Sequence, residues 1–347
     1  MKSKRQRSRW LALFLGGLVA LTAPVSLYLV LTSSSVSADS ADSDSKEAAG
    51  EASANPRAEY WRAVRHGVEG YSAVTGPEAN VLIQDSGQTW RELRNGPGLT
   101  ISAWLMAAVL LAVGLLQIFK GTWKLDYRTG KTIPRWSVFD RVIHWGLTVT
   151  FILLALTGLG LLFGRYVLMP LMGKEAFGAM SAVSKPVHDY VSPFFIAFLV
   201  LSVAAWMKYS FFKSYDWEWF KKVGGYLTRE HVRAGFINAG EKVWYWFLFL
   251  VGVVVVVSGL LLLTPNFEWT RSTMQLSSLF HIASGIGLIC FSFVHIYMAT
   301  IGNEGTFEAM VGGEVDERWA QLHHDAWYDE VVAEQGSSGV KTESTAG

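Results

Sequence analysis

The sequence predicts an all-α membrane protein, and three observations carry that prediction. Of its 347 residues 51% are hydrophobic and 17% charged, with a formal net charge of +1, far from the balance of a soluble domain. Five charge-free runs, Leu99 to Phe119, Val142 to Gly164, Val191 to Met207, Val243 to Leu263 and Ser277 to Thr300, have about the 17–25 residues that cross a bilayer as helix. Each run is continuously apolar instead of alternating over about ten residues, so helices are expected and barrel strands are not.

Taken in order, the chain opens with Lys2, Lys4, Arg5, Arg7 and Arg9 ahead of an apolar run from Trp10 to Leu31, the layout of a secretory signal. Residues 1–38 read as a signal peptide cut after Val36-Ser37-Ala38 or as an uncleaved anchor, and the sequence leaves both open. Residues 39–98 then emerge as a periplasmic segment. Its start, Asp39 to Asn55, is Ser, Ala and acid, a composition that buries no core and reads as a tether; further on, "NVLIQ" (80–84) looks strand-like. Residues 99–119 form a first span, residues 134–303 a membrane domain with the other four, and residues 304–347 a tail.

Loop charge sets the orientation expected. Lys120, Lys124, Arg128, Lys131 and Arg135 lie between the first two spans, and Lys208, Lys213, Lys221, Lys222, Arg229, Arg233 and Lys242 between the third and fourth. The alternate loops hold Arg165, Lys174 and Lys185 in one case and only Arg271 in the other. Basic loops stay in the cytoplasm, which places the tail inside and agrees with a signal that exports residues 39–98. A multi-pass protein of the bacterial inner membrane is expected.

Composition also excludes classes. The one cysteine, Cys290, lies within a span, so this chain alone builds neither a disulfide nor a four-cysteine iron-sulfur cluster. A net charge near zero gives nucleic-acid binding no support.

Four of eight histidines, His144, His188, His281 and His295, lie in or at the mouths of spans, where coordinating side chains are costly and read as functional. His281 and His295 are separated by about 21 Å of helical rise and by a rotation about 40° short of four turns, which puts them on one face near opposite membrane surfaces. With the orientation above, His144 and His295 share the inner depth and His188 and His281 the outer. Each pair suits a bis-imidazole site for haem, and the absence of CxxCH makes that haem noncovalent b-type. Gly158, Gly160, Gly252, Gly259, Ala283, Ser284, Gly285 and Gly287 would let helices or a porphyrin approach closely.

The stretches "RWSVFDRVIHWGLTVTFILLALTG", "KPVHDYVSPFF", "FINAGEKVWYW", "LFHIASGIGLICFSFVHIYMA" and "AMVGGEVDERWAQLHHDAWYDE" resemble, in order, the cytochrome b (gamma) subunit of membrane-bound, quinone-linked formate dehydrogenase. The resemblance covers about Pro134 to Val332, and the added N-terminal third looks like a longer form of that family. It implies a four-helix dihaem transmembrane bundle plus one additional N-terminal transmembrane helix, holding two haem b. It also implies partners: an iron-sulfur (beta) subunit and a molybdenum- or tungsten-containing catalytic (alpha) subunit. Formate would be oxidised on the latter, since this chain offers no soft metal ligand for that chemistry. By position, His144 and His295 resemble the inner haem ligands and His188 and His281 the outer ones. The quinone pocket of the family maps to Asn238, Gly240 and His295, with Glu241 standing where a Gln often follows the glycine. Two other readings share the helices: a cytochrome b of a hydrogenase or thiosulfate reductase, and a haem-free anchor or transporter.

Beside these, Asp140 and Arg141 are candidates for a haem propionate or a proton path, with Arg141 equally suited to snorkelling. Trp136, Trp145, Trp206, Trp244, Trp246 and Trp269 read first as interface belts. His323 and His324 are expected to pack the tail and not to bind metal.

Overall fold

The computed structural model describes residues 68–71, 81–83 and 87–343. The expected signal or anchor and the acidic tether lie outside the described residues.

Ahead of the first span, β1 (Val68–Glu69) pairs antiparallel with β2 (Val81–Ile83), so the strand-like stretch is a strand. Helix α1 (Gly87–Leu93) runs through a π-helical turn, Arg94–Gly98, into α2 (Leu99–Lys120). Pro97 lies in that turn and has no N–H for the helical ladder, which accounts for the irregular register there. Strand β3 (Thr132–Pro134) precedes α3 (Val138–Trp206). After these come α4 (Asp216–Lys221), α5 (Ala239–Leu263), α6 (Arg271–Tyr297), α7 (Thr306–Val311), β4 (Glu314–Asp316), α8 (Glu317–His323) and α9 (Asp325–Glu343). Among the described residues four helical stretches are long and apolar enough to cross a membrane: Gly87–Lys120, Val138–Tyr209, Ala239–Leu263 and Arg271–Gly302. The protein is an all-α, multi-span membrane protein.

The longest stretch is two helices. Gly173 breaks α3 with φ 85° and ψ 168°, a conformation that L side chains avoid and glycine adopts freely. Beyond it the chain doubles back, and the loop expected between Gly164 and Val191 is helical on both sides of that glycine. An apolar run marks where lipid contact ends, whereas helix continues for as long as its backbone stays hydrogen-bonded.

The chain divides into two compact units, one of Met1–Leu111, Gly158–Lys185 and Val253–Cys290, the other of Ala112–Thr157, Pro186–Gly252 and Phe291–Gly347. In the first unit the α3 hairpin closes through small residues: the space a Cβ would need at Gly164 is filled by the Phe177 ring, and Met180 lies against Gly160. In the second unit Phe198 fills the notch at Gly146, Leu199 the one at Gly252, and Phe151 packs on Phe195. Small residues thus bring helices together where lipid supplies no hydrophobic drive.

The second unit also carries a water-side core. β3 and β4 pair antiparallel, Ile133 opposite Val315, and both side chains join Ala309, Trp319, Ala320 and Trp327 in a buried cluster. Asp316 holds its start together: its carboxylate accepts the Arg318, Thr129 and Gly130 N–H groups, and these bonds outweigh burial to keep its pKa below the ordinary carboxylate range. Within the cluster the Arg135 guanidinium, buried to 8% exposure, lies 4.9 Å from the rings of Phe236 and Trp319 and 5.0 Å from Trp327. Burial pushes its pKa down to about 10, so it stays charged at neutral pH, and the aromatic faces and the Phe236 carbonyl (2.6 Å) compensate.

Candidate functional site

His144 lies on the first helical turns of α3. Ser137 caps that helix and forms a reciprocal box with Asp140, while the other Asp140 oxygen takes the Trp206 indole N–H at 2.9 Å. Asp140 therefore spends its carboxylate on holding the two arms of the hairpin at this end. Arg141 donates to the Val311 carbonyl at 2.7 Å.

His295 is near the end of α6. The two rings face each other in the second unit with centroids 6.2 Å apart and a 54° tilt. An imidazole nitrogen binds a first-row metal at about 2 Å, so two rings on opposite sides of one iron have centroids about 6 Å apart. The pair has that separation already. Moreover His144 Nδ1 is buried with no hydrogen-bond partner among the described residues; groups in that state call for an explanation. Such an arrangement could hold a metal between imidazoles, and these residues fit a bis-histidine haem.

Aromatic rings fix the His295 side. Trp244 of α5 stacks on His295 at 5.4 Å and 21° and on Phe291 at 5.1 Å and 17°, and Phe247 stacks on Phe291 at 4.7 Å. Trp244, expected first in an interface belt, therefore also packs on the His295 ring. Its signal was the spacing: Trp244 and Phe247 three apart on one helix, Phe291 and His295 four apart on the next, as facing stripes require. Other indoles also have partners inside the unit: Trp145 donates to the Met310 carbonyl, Trp246 to the Ser210 carbonyl, and Trp136 packs beside the buried cluster.

The other two histidines are held differently. In the first unit His281 places Nδ1 3.0 Å from the Val255 carbonyl and 3.4 Å from Ser258 Oγ. A carbonyl only accepts, so Nδ1 carries the proton and Nε2 the lone pair. Gly259 makes room for the ring, since a Cβ there would lie 3.0 Å from His281 Cε1, and the space a Cβ would take at Gly285, one turn beyond His281, is open. In the second unit His188 Nδ1 is 3.0 Å from Thr157 Oγ1, whose hydroxyl donates to the Leu153 carbonyl at 2.7 Å. The hydroxyl oxygen then accepts from Nδ1–H, and Nε2 of His188 again carries the lone pair.

Asn238 is the N-cap of α5. Its Oδ1 accepts the Glu241 N–H at 3.0 Å, and Glu241 Oε2 accepts the Asn238 N–H at 2.7 Å, a capping box. Glu241 Oε1 lies 3.9 Å from Arg135. Gly240 packs on Trp219; a Cβ would be 2.6 Å from that indole. Lys242, 1% exposed, is paired with buried Asp216 at 2.6 Å.

His324 is buried in the tail. Nδ1 meets the Gly235 carbonyl at 2.7 Å and Nε2 the Arg135 guanidinium at 3.4 Å, so it is neutral with the proton on Nδ1, and burial beside a cation holds its pKa well below 6.5. Burial likewise pushes His323 down to about 4. Among the described residues no three His, Cys, Asp or Glu side chains form a metal-binding group.

Against known proteins, the model of the family "Prokaryotic cytochrome b561" matches residues 135–313. The chain is 30% identical over 204 residues to a formate dehydrogenase cytochrome b556 (fdo) subunit of Escherichia coli K12, covering 58% of this chain and 93% of that protein. It is 28% identical over 206 residues to the nitrate-inducible formate dehydrogenase cytochrome b556 (Fdn) subunit of the same strain, 58% and 92% of the two chains. With a formate dehydrogenase cytochrome b556 subunit of Haemophilus influenzae it shares 29% over 215 residues, 60% and 87%.

Proposed function

We propose a function from one premise: the chain belongs to the prokaryotic cytochrome b561 family. On that premise it has a membrane electron-transfer role, and we read it as the membrane-anchoring dihaem cytochrome b subunit of a formate dehydrogenase. It would take electrons from an iron-sulfur subunit, itself served by a molybdenum or tungsten catalytic subunit, and deliver them to quinone in the inner membrane. The facing His144 and His295 rings, 6.2 Å apart, carry this reading, and the similarity to formate dehydrogenase cytochrome b556 subunits directs it to formate dehydrogenase.

Haem bound between such imidazoles supplies one-electron chemistry. The residues of the chain do the rest. His144 and His295 would hold the inner haem and His188 and His281 the outer one through ring nitrogens, each of the latter two set in its Nδ1–H tautomer by a hydrogen bond. Trp244 orients His295 and keeps water from its face. At the quinone pocket Asn238 gives its oxygen to the α5 cap and has Nδ2 as the donor for a quinone carbonyl. Glu241 closes the cap in place of a Gln, so at this position the loop geometry is kept and a neutral donor is not. Loop charge supports residues 39–98 on the periplasmic side and the tail in the cytoplasm, so that protons for quinone would be drawn from the inside.

A reduced-minus-oxidised spectrum of the purified chain tests the cofactor: two b-type components are expected, and a spectrum without them overturns the reading in favour of a haem-free anchor. Formate-dependent quinone reduction in membranes, lost when this chain is deleted, separates formate dehydrogenase from a hydrogenase or thiosulfate reductase cytochrome.

A further inference from the structure

The first part of the segment joining α3 to α5, residues 207–230, is built inside out. Phe211, Phe212, Trp217, Phe220, Val223 and Leu227 are exposed, Trp217 at 67%, while Asp216, Gly224 and Gly225 are buried. Nor is this an idle loop that happens to splay its aromatics. Asp216 is pinned by Lys242 at 2.6 Å and by the Lys213 N–H at 2.7 Å. Trp219 is wedged between Gly224, at φ 61°, and Gly240, with a Cβ at the first only 2.5 Å from the indole. The polar anchor and the wedge hold α4 from within, so Trp217 and Phe220 are held facing outward. In water an outward apolar face of this kind is disfavoured.

Two further observations say what covers it. The segment starts at the end of one spanning stretch, Val138–Tyr209, and finishes at the start of another, Ala239–Leu263, so it lies at a membrane surface by chain continuity. Exposed Lys208, Lys213 and Lys221 are interleaved with the aromatics, whereas the acids are spoken for: Asp216 by Lys242, and Glu218 and Glu230 by Lys222 at 3.0 and 3.7 Å. Aromatic bodies flanked by lysines match the boundary between acyl chains and anionic headgroups.

We propose that residues 207–230 form an interfacial element that lies in the plane of the membrane, inserting Trp217 and Phe220 at the headgroup boundary and binding anionic phospholipid through Lys208, Lys213 and Lys221. The proposal is independent of the haem and quinone assignments.

The test uses the full chain in nanodiscs, with a Cys290→Ala background and a nitroxide at Trp217→Cys or, as the contrasting position, Glu218→Cys. Oxygen is expected to relax the label at 217 more than a water-soluble nickel chelate does, with the reverse at 218. Greater nickel access at 217 overturns the proposal in favour of a solvent-exposed loop; exclusion of both relaxants does so in favour of a protein partner. The charge component is read by native mass spectrometry of detergent-extracted protein. The combined Lys208→Gln, Lys213→Gln and Lys221→Gln variant should retain at least about fivefold less phosphatidylglycerol relative to phosphatidylethanolamine, since each lysine near an anionic surface contributes a several-fold bias. Equal retention overturns the anionic-lipid assignment.

Discussion

The two histidine pairs proposed as inner and outer haem ligands are held by two different means. His281 and His188 each have Nδ1 fixed by a protein oxygen, the Val255 carbonyl in one unit and Thr157 Oγ1 in the other, at 3.0 Å. The other pair is held differently: His144 Nδ1 is buried without a hydrogen-bond partner among the described residues, and His295 is held by the Trp244 face. Hydrogen bonds select a tautomer and raise ligand basicity. Stacking fixes ring orientation and shields it from water but leaves the tautomer open. The two proposed sites would therefore differ in how firmly the coordinating nitrogen is predetermined, with the His144–His295 pair depending more on what binds between its rings.

The largest expected effect tests the pairing on which that comparison stands. His144→Ala and His295→Ala should each abolish the same b-type component in a redox titration, and His188→Ala and His281→Ala the other. Loss of different components by two members of one pair would dissolve the comparison. Next come the tail histidines, which lie outside the proposed ligand set and report burial. A depressed folded-state pKa means that the unfolded chain takes up the proton first. The contribution of His323 is thus fully present above pH 6.5 and is lost as pH falls toward about 4, a change of about 3 kcal/mol. Protection of the Trp319–Tyr328 amides, corrected for intrinsic exchange, should fall over that window, and a flat profile would show that the tail tolerates the charge.

A smaller effect should separate the two means of support. Thr157→Val removes the oxygen behind His188 and should weaken retention of the outer cofactor by about 10–100-fold, measured as haem loss to apomyoglobin, while the inner component is unchanged. Trp244→Leu keeps an apolar side chain but removes the stack, at about 1 kcal/mol. It should broaden the electron paramagnetic resonance signal of the inner component more than it lowers occupancy. If Trp244→Leu empties the inner site as thoroughly as His295→Ala, stacking is not the minor support described above.

Much of this was legible in the sequence because lipid makes the code local. A backbone in hydrocarbon must satisfy its own hydrogen bonds, so an apolar run is a helix wherever it occurs, and all five runs are helical in the structure. For the same reason the phase of His281 and His295 was readable, since one unbroken helix, Arg271–Tyr297, carries both. The roles of Asp140, Trp244 and Glu241 were not legible. Each depends on a second residue distant in sequence or on the local backbone path: Trp206 for Asp140, His295 for Trp244, and the Asn238 cap together with Arg135 for Glu241.

By itself, then, the sequence determined an all-helical membrane protein, the short strand ahead of the first span, and four histidines on or beside its apolar helices. Tertiary structure alone decided that His144 faces His295 across 6.2 Å, that Trp244 stacks there, and that Asn238 and Glu241 shape the start of α5. The reason is physical: helix formation in an apolar medium is settled residue by residue, whereas which rings meet is settled by helix packing. That packing rests on a few notches, such as Gly146 for Phe198 and Gly252 for Leu199, whose complementarity no single segment contains.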